Sequence, residues 1–306
     1  MRNNISRYNH ILELSKKLKS KFLFNHEIYK STWFKAGGNA DVFCLVYDEN
    51  DLEIILNNIG DIPYYVIGSG SNLLVRDGGY QGIIIKLGKL FNNLSFKENN
   101  ILVGASILDK NLAKFAYINS IKNFEFFSGI PGSIGGAIKM NAGCYGFETK
   151  NLLKSINILS KKGVKKSLKK NDLNLSYRSS NLKDQEIITS ALFKIAYADK
   201  EEIKSNIENI DYKRKYTQPI KFKTSGSTFK NPKGLFAAKL IEDSDCKGLC
   251  VGDAVVSTKH ANFFVNLNQA RASDIEDLIK IVKERVYTKF EVKLDLEIKI
   301  IGEKSE

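Results

Sequence analysis

The chain has 306 residues, 47 of them Lys or Arg against 34 Asp or Glu, giving a formal net charge of +13 with His neutral. That length can bury two or three separate cores, and no apolar run reaches the ~18 residues that a membrane span needs. The basic excess leaves two readings, a nucleic-acid surface or an anionic small substrate.

Met1-Arg2-Asn3-Asn4 leads into a charged stretch without a hydrophobic signal core, and a helix is predicted over 6–24. Residues 31–40 pair glycines with aromatics. A strand over 41–46 comes next, then a helix from about Asn50 with Glu53 completing a capping box. Tyr64-Tyr65-Val66-Ile67 reads as a short buried strand, followed at once by Gly68-Ser69-Gly70-Ser71-Asn72. Consecutive N–H groups in such a loop form an anion-binding nest, and the two serines add hydroxyl donors. It is not the dinucleotide fingerprint G-x-G-x-x-G, because Leu73 stands at the last glycine position. The chain also runs on into Leu74-Val75, an Asp77-Gly78-Gly79 turn and a strand at Ile83-Ile84-Ile85, not into a helix. A diphosphate cradle between two strands stays open.

A second unit is predicted from near Leu94, with a strand over 101–105 and a helix whose apolar stripe is Leu108, Leu112, Phe115 and Ala116. The glycine-rich centre follows, with glycines at 129, 132, 135, 136, 143 and 146 around Pro131. Two readings remain for it: bare backbone against a flat or phosphorylated ligand, or a tight turn at a barrel corner. Strands are expected over 155–159 and 186–196, and the lysine-dense stretch 161–170 reads as a hairpin turning at Gly163 with solvated edges. Between them stands Ser176-Tyr177-Arg178-Ser179-Ser180. With no helix-turn-helix and no aromatic-basic platform, charge is a poor argument for DNA.

A third unit opens with a helix capped by Asp199, carrying Ile203, Ile207 and Ile210 on one face and stopping before Pro219. Then come a polar turn, 225–232, a short helix over 237–242, and the stretch 255–265 with His260, one of 3 histidines. Ser273 and Glu276 are expected to cap the last long helix, with Ile275, Leu278, Ile279 and Val282 facing inward. The chain closes on an alternating strand, Val292, Leu294, Leu296, Ile298 and Ile300 on one face. Cys44, Cys144, Cys246 and Cys250 form no paired framework, and no second Cys or His pair completes a zinc site near Cys246 and Cys250. Free thiols in a cytoplasmic, reducing compartment and no bound metal are expected.

Taken together, several blocks resemble one family, UDP-N-acetylenolpyruvoylglucosamine reductase. They are Phe34-Lys35-Ala36-Gly37-Gly38-Asn39-Ala40-Asp41, Ile67-Gly68-Ser69-Gly70-Ser71-Asn72-Leu73-Leu74, Gly129-Ile130-Pro131-Gly132-Ser133-Ile134-Gly135-Gly136 and Met140-Asn141-Ala142-Gly143. Tyr177-Arg178-Ser179-Ser180, Gly226-Ser227-Thr228-Phe229-Lys230-Asn231-Pro232, Lys259-His260-Ala261-Asn262-Phe263 and Leu296-Glu297-Ile298-Lys299-Ile300-Ile301-Gly302 complete the series. The Tyr-Arg-Ser-Ser form is similar to the shorter of the family's two subtypes.

The resemblance implies an α+β chain: a vanillyl-alcohol-oxidase-type two-part FAD-binding fold, 1–92 and 93–198, plus a C-terminal α+β substrate domain, 199–306. It implies bound FAD, NADPH as hydride donor, and reduction of the enolpyruvyl ether of a UDP-sugar in peptidoglycan precursor synthesis. Gly68, Ser69, Gly70, Ser71, Asn72, Gly132, Ser133 and Ile134, with Gly37, are the implied cofactor residues. Arg178 matches the family's arginine, suited to the substrate carboxylate by its planar fork; Ser227 matches the proton donor and Glu297 the C-terminal glutamate. Lys230, beside Ser227, is a candidate to support its alkoxide. Asn231, Lys230, Arg214 and His260 are expected to hold the UDP portion. A monomer without nucleic-acid or membrane partners is expected. Ala238, Asp295-Leu296 and Cys144 depart from the family's usual residues. Two rivals remain at this stage: another FAD-dependent oxidase or dehydrogenase of the same fold, and, remotely, a basic nucleic-acid-binding protein.

Overall fold

The computed structural model describes residues 5–305, so the reading of Met1-Arg2-Asn3-Asn4 lies outside the described residues. The chain gathers into two compact units that interleave along the sequence. One holds the residues up to Asn25 with 42–68 and 82–207; the other holds 26–41, 69–81 and 208–306. The grouping by contacts does not follow the chain in consecutive segments. The segments 26–41 and 69–81 carry Phe34, Ala36 and Leu74, and these are buried in the same core as the C-terminal residues. Apolar burial, which is non-directional, overrides neighbourhood in sequence.

The first unit has two hydrophobic cores. One lies at a four-stranded sheet in the order Lys21–Glu27, Asn39–Val46, Tyr80–Leu87, Tyr64–Ile67. The last two run parallel, Tyr64 opposite Ile83. Val42, Cys44, Val46, Ile83 and Ile85 pack there with Leu52, Ile55 and Leu56 of the helix Glu49–Asn58. That helix is capped by Asp48, whose Oδ1 accepts the Asp51 N–H at 2.8 Å, and not by the Asn50–Glu53 box.

The helix expected over 6–24 is a 3-10 turn, Ile5–Tyr8, and a short helix, Asn9–Ser15, before the strand Lys21–Glu27. The Ser20 N–H and hydroxyl both donate to the buried Asp51 carboxylate, each at 2.7 Å, which removes them from any helical ladder.

The other core of this unit belongs to a five-stranded sheet, Lys165–Lys169, Leu153–Leu159, Ile187–Lys194, Asn100–Gly104, Leu94–Lys97 in order. Every neighbouring pair in it is antiparallel. The helices Asp109–Ile118 and Ile134–Lys139 add Leu112, Ala113, Ala116, Ile134, Ala137 and Ile138 to this core. The hairpin turns as predicted at Gly163, whose N–H donates to the Ser160 carbonyl at 2.9 Å.

In the second unit the helix Ala272–Phe290 buries Ile275, Leu278, Ile279, Val282 and Val286 in a core shared with a three-stranded sheet, Cys250–Val251, Ala254–Val256, Phe264–Asn266. Ser273 does not cap this helix. The Asp77 carboxylate accepts the N–H groups of Ala272 and Ser273 at 2.8 Å each, and Asp274 accepts that of Arg271 at 2.9 Å. Glu276, expected in the cap, instead pairs with Arg76, whose Nε and Nη2 both lie 3.1 Å from a carboxylate oxygen. The helix Lys200–Thr217 begins as predicted, with Asp199 accepting from Glu201 and Glu202 at 2.9 and 3.2 Å.

The C-terminal alternation is present in burial, Leu294 and Ile298 inside, Lys293 and Asp295 outside. The regular ladder is shorter than expected: only Lys299–Ile301 is strand, parallel to Leu73–Val75. The stretch before it pairs irregularly with Thr228–Lys230, Glu297 N–H donating to the Thr228 carbonyl and Lys230 N–H to that of Asp295, both at 2.8 Å.

Because one carboxylate satisfies two of the orphan N–H groups of the longest buried helix, Asp77→Ala should cost about 1–2 kcal/mol. For this size that lowers Tm by roughly 2–8 °C in a calorimetric scan, while Asp77→Asn, keeping one acceptor, loses less.

Candidate active site

Two loops leave main-chain donors bare. After the strand Tyr64–Ile67 the chain turns through Gly68 to Asn72, and among the described residues the N–H groups of Ser69, Gly70 and Ser71 have no acceptor in the chain. The only side-chain bond between the two serines runs from Ser69 Oγ to Ser71 Oγ at 3.2 Å. Asn72 is engaged: its Nδ2 donates to the Glu297 carbonyl and its own carbonyl accepts the Lys299 N–H, each at 3.0 Å. Its side chain therefore positions the glutamate strand.

In the first unit the stretch Ile130 to Ser133 enters the helix Ile134–Lys139. The Ile134 N–H is spent on the Ile107 carbonyl at 2.9 Å, so the donors without an acceptor in the chain are those of Gly132 and Ser133. This narrows the expected donor set of that loop. Neither Gly68 nor Gly132 has room for a side chain. A Cβ on Gly68 would lie 2.3 Å from Ser133 Oγ, and one on Gly132 2.4 Å from Asp109 Oδ2. Gly37 is required for a different reason, internal packing: with φ at +107°, its Cβ would meet the Val75 carbonyl oxygen at 2.0 Å.

Asp109, which sequence reading passed over, opens the helix Asp109–Ile118 with its side chain wholly buried and both carboxylate oxygens without a hydrogen-bond partner. Burial pushes its carboxyl well above the usual carboxylate range. A helix N-terminus favours the anion by about 0.3–1 kcal/mol, whereas an unpaired buried charge costs several. Burial and the lack of any hydrogen-bond partner both favour the protonated acid.

Arg178 sits in a tight turn where Ser176 and Ser179 exchange main-chain hydrogen bonds at 3.1 and 3.2 Å. Its φ is +53°, a left-handed conformation uncommon for a residue with a Cβ and frequent at functional sites. The guanidinium Nη2 donates to the Gly143 carbonyl at 2.8 Å and the group lies 5.0 Å from the Tyr177 ring centre. Asn141, fully buried, donates to the Ser176 carbonyl at 2.9 Å and so carries the turn on the glycine-rich segment.

In the second unit, Ser227 and Glu297 come together. Ser227 precedes Thr228, whose carbonyl accepts the Glu297 N–H, and the Ser227 hydroxyl is half-buried with no bond in the chain among the described residues. Asn262 holds this segment from the other side. Its carbonyl accepts Thr228 N–H at 2.7 Å, its Oδ1 accepts Phe229 N–H at 2.9 Å, and its Nδ2 donates to the Phe229 carbonyl at 2.8 Å. Asn262 lies in the Lys259-His260-Ala261-Asn262-Phe263 block, and only its contacts reveal that it clamps Thr228 and Phe229, the two residues after Ser227.

The residues expected around the UDP portion differ in their freedom. Lys230 follows Phe229 and is half-exposed. The Asn231 Oδ1 accepts the Ala237 N–H at 3.0 Å, starting the helix Ala237–Asp243. The Arg214 Nε donates to Gln218 at 3.2 Å. His260 stacks edge-on with Phe263 at 4.6 Å, its buried Nδ1 has no partner, and burial lowers its pKa, so the ring is neutral at pH 7.

The donor chemistry fits a flavin dinucleotide. Bare main-chain N–H groups in two glycine loops suit diphosphate oxygens, and the missing side chains leave the backbone approachable. Gly68→Ala should lower Tm by several degrees and reduce flavin retained on purification, since its Cβ must displace Ser133 Oγ. Ser133→Ala in the same chain should recover most of that loss, as thermal melts and the flavin absorbance ratio would register.

With this geometry in place, the chain can be compared with known proteins. Residues 218–301 match the UDP-N-acetylenolpyruvoylglucosamine reductase C-terminal domain, and residues 40–167 match an FAD binding domain. The chain is 41% identical over 286 residues to UDP-N-acetylenolpyruvoylglucosamine reductase of Rickettsia massiliae, covering 93% of this chain and 97% of that one. It is 43% identical over 288 residues to the enzyme of that name from Caulobacter vibrioides, covering 93% and 96%. The crystal structure of UDP-N-acetylenolpyruvylglucosamine reductase from Thermus caldophilus superposes with a TM-score of 0.82 at 34% identity, covering 93% of this chain and all of that one. The α+β fold expected from the motifs, with its two-part FAD-binding region and C-terminal domain, is the fold found. Matched at both its flavin and its C-terminal regions, and similar from end to end to these relatives, the chain belongs to the UDP-N-acetylenolpyruvoylglucosamine reductase family.

Proposed function

We propose that the protein reduces the enolpyruvyl ether of UDP-N-acetylglucosamine-enolpyruvate to UDP-N-acetylmuramate, using FAD and NADPH, in peptidoglycan precursor synthesis. One observation carries the assignment of residues: a half-buried serine hydroxyl with no partner among the described residues is held beside the Glu297 strand by the Thr228 carbonyl and by the Asn262 clamp. FAD, when bound, would supply the two-electron chemistry between NADPH and the alkene.

The chain's own residues manage charge and protons. Reduction at the vinyl β-carbon places negative charge on the α-carbon and its carboxylate, so the site must hold that charge and deliver one proton. Arg178 takes the carboxylate through two parallel N–H bonds, a geometry a lysine ammonium cannot reproduce. Ser227 delivers the proton to the α-carbon; a hydroxyl is weakly acidic, so it serves only a strongly basic carbanion, and Lys230 offsets the alkoxide it leaves. Glu297 supports the same charge as an acid or orients a water. The loops Gly68–Asn72 and Gly132–Ser133 hold the flavin diphosphate. Asn231, Lys230, Arg214 and His260 serve the UDP portion. The functional division is 1–92 and 93–198 for the flavin and 199–306 for the sugar nucleotide. The protein works as a cytoplasmic monomer without nucleic-acid partners. Among the described residues no helix is long and apolar enough to cross a membrane.

Ser227→Ala should leave flavin reduction by NADPH within about twofold of wild type in stopped flow. Reoxidation by the enolpyruvyl UDP-sugar should fall by about 10²–10⁴-fold, the range of a lost general acid. Equal loss in both half-reactions would remove Ser227 from the proton-donor role.

A further inference from the structure

Asp109 has no task in the reaction as derived, yet its placement is unusual. It is wholly buried, neither oxygen has a hydrogen-bond partner, and it lies behind Gly132: the Asp109 N–H donates to the Gly132 carbonyl at 3.1 Å, and Oδ2 fills the space where a Gly132 Cβ would stand. Among the described residues the N–H groups of Gly132 and Ser133 have no acceptor. An anion received there would sit one residue away from a carboxyl that cannot reach water. A carboxylate and a phosphate held that close, in a region of low dielectric, repel strongly; a neutral acid does not.

We propose that Asp109 is a positioning residue for the diphosphate of the flavin, standing protonated behind Gly132 and Ser133 so that the anion binds only while that proton is kept. The proposal rests on the reading that this loop takes the diphosphate. The binding step is an acid–base linkage alone: no covalent bond changes, and where Asp109 is ionised in the free protein, a proton from solvent joins its carboxyl as the anion arrives.

The surrounding charges do not supply an alternative partner. On its own helix Lys110 and Lys114 are exposed; from the turn Glu125–Gly129 the acid is Glu125, buried with its own carboxyl raised by burial; from the helix Ile134–Lys139 the cation is Lys139, paired with Asp184 at 3.2 Å. Burial is the sole cause of the raised Asp109 pKa. For such a group the unfolded chain binds fewer protons than the folded one above the unfolded pKa. Stability therefore falls as pH rises towards the folded pKa, and Asn, which has no proton to lose, is spared this slope.

The test is FAD affinity of the whole protein, read by flavin fluorescence between about pH 6 and pH 9.5, in wild type and Asp109→Asn. Wild type should weaken with rising pH, approaching about tenfold per pH unit once the free protein has lost the proton. Asp109→Asn should bind FAD with a nearly flat profile. Titration calorimetry of wild type in buffers of differing ionisation enthalpy gives a second measure that needs no variant: FAD binding should take up close to one proton per site at the alkaline end. A wild-type profile that is flat, slopes that match in the two proteins, or no proton uptake would each overturn the proposal. Gly132→Ala separates this from failure of the loop reading. If that variant binds FAD as wild type does, the diphosphate is not at this loop; if it loses FAD at every pH while the wild-type profile is flat, the loop reading stands and the role of Asp109 falls.

Discussion

A main-chain N–H that finds no acceptor in its own chain must find water or an anion, and the architecture is organised around a few such groups. Ser69, Gly70 and Ser71 in one unit, and Gly132 and Ser133 in the other, keep their donors bare. Most buried or half-buried backbone donors in a folded protein are paired, so several bare ones in two glycine loops are a cost that the proposed diphosphate binding would recover. The glycines follow from this. At Gly68 and Gly132 the space of a side chain is already taken by Ser133 and Asp109, so the loops keep backbone, and backbone alone, available to a ligand.

The residues proposed to handle the proton obey a second logic. A serine is a poor acid and works only if its position is exact to a fraction of an ångström. The structure supplies that position with amide contacts instead of with the serine's own hydrogen bonds. Asn262 grips both sides of Thr228–Phe229, and the Glu297 strand docks on the Thr228 carbonyl, which leaves the Ser227 hydroxyl uncommitted. Asn72 joins the two themes, since it ends the anion loop and also donates to the Glu297 carbonyl.

Some of this was legible in the amino-acid order. The hairpin at Gly163 and the cap at Asp199 depend on residues adjacent in the chain, and both are found where expected. The motif blocks led to the family for a related reason: each is a short run whose backbone shape and chemistry are local. Other expectations failed where the partner is remote. The first helix stops short because Ser20 is captured by Asp51, and the last helix takes its cap from Asp77, almost two hundred positions earlier in the chain. The final strand keeps its alternation but pairs regularly only where Leu73–Val75 meets it.

Order alone therefore determined the secondary-structure signals with short reach and the family, because glycine, proline and capping effects act over a turn or less. Tertiary structure decided which segments share a core, that Asn262 clamps Thr228 and Phe229, and that Asp109 is an isolated buried acid. Those properties come from burial and from hydrogen bonds between residues far apart in the chain, and neither is encoded in any single window of sequence.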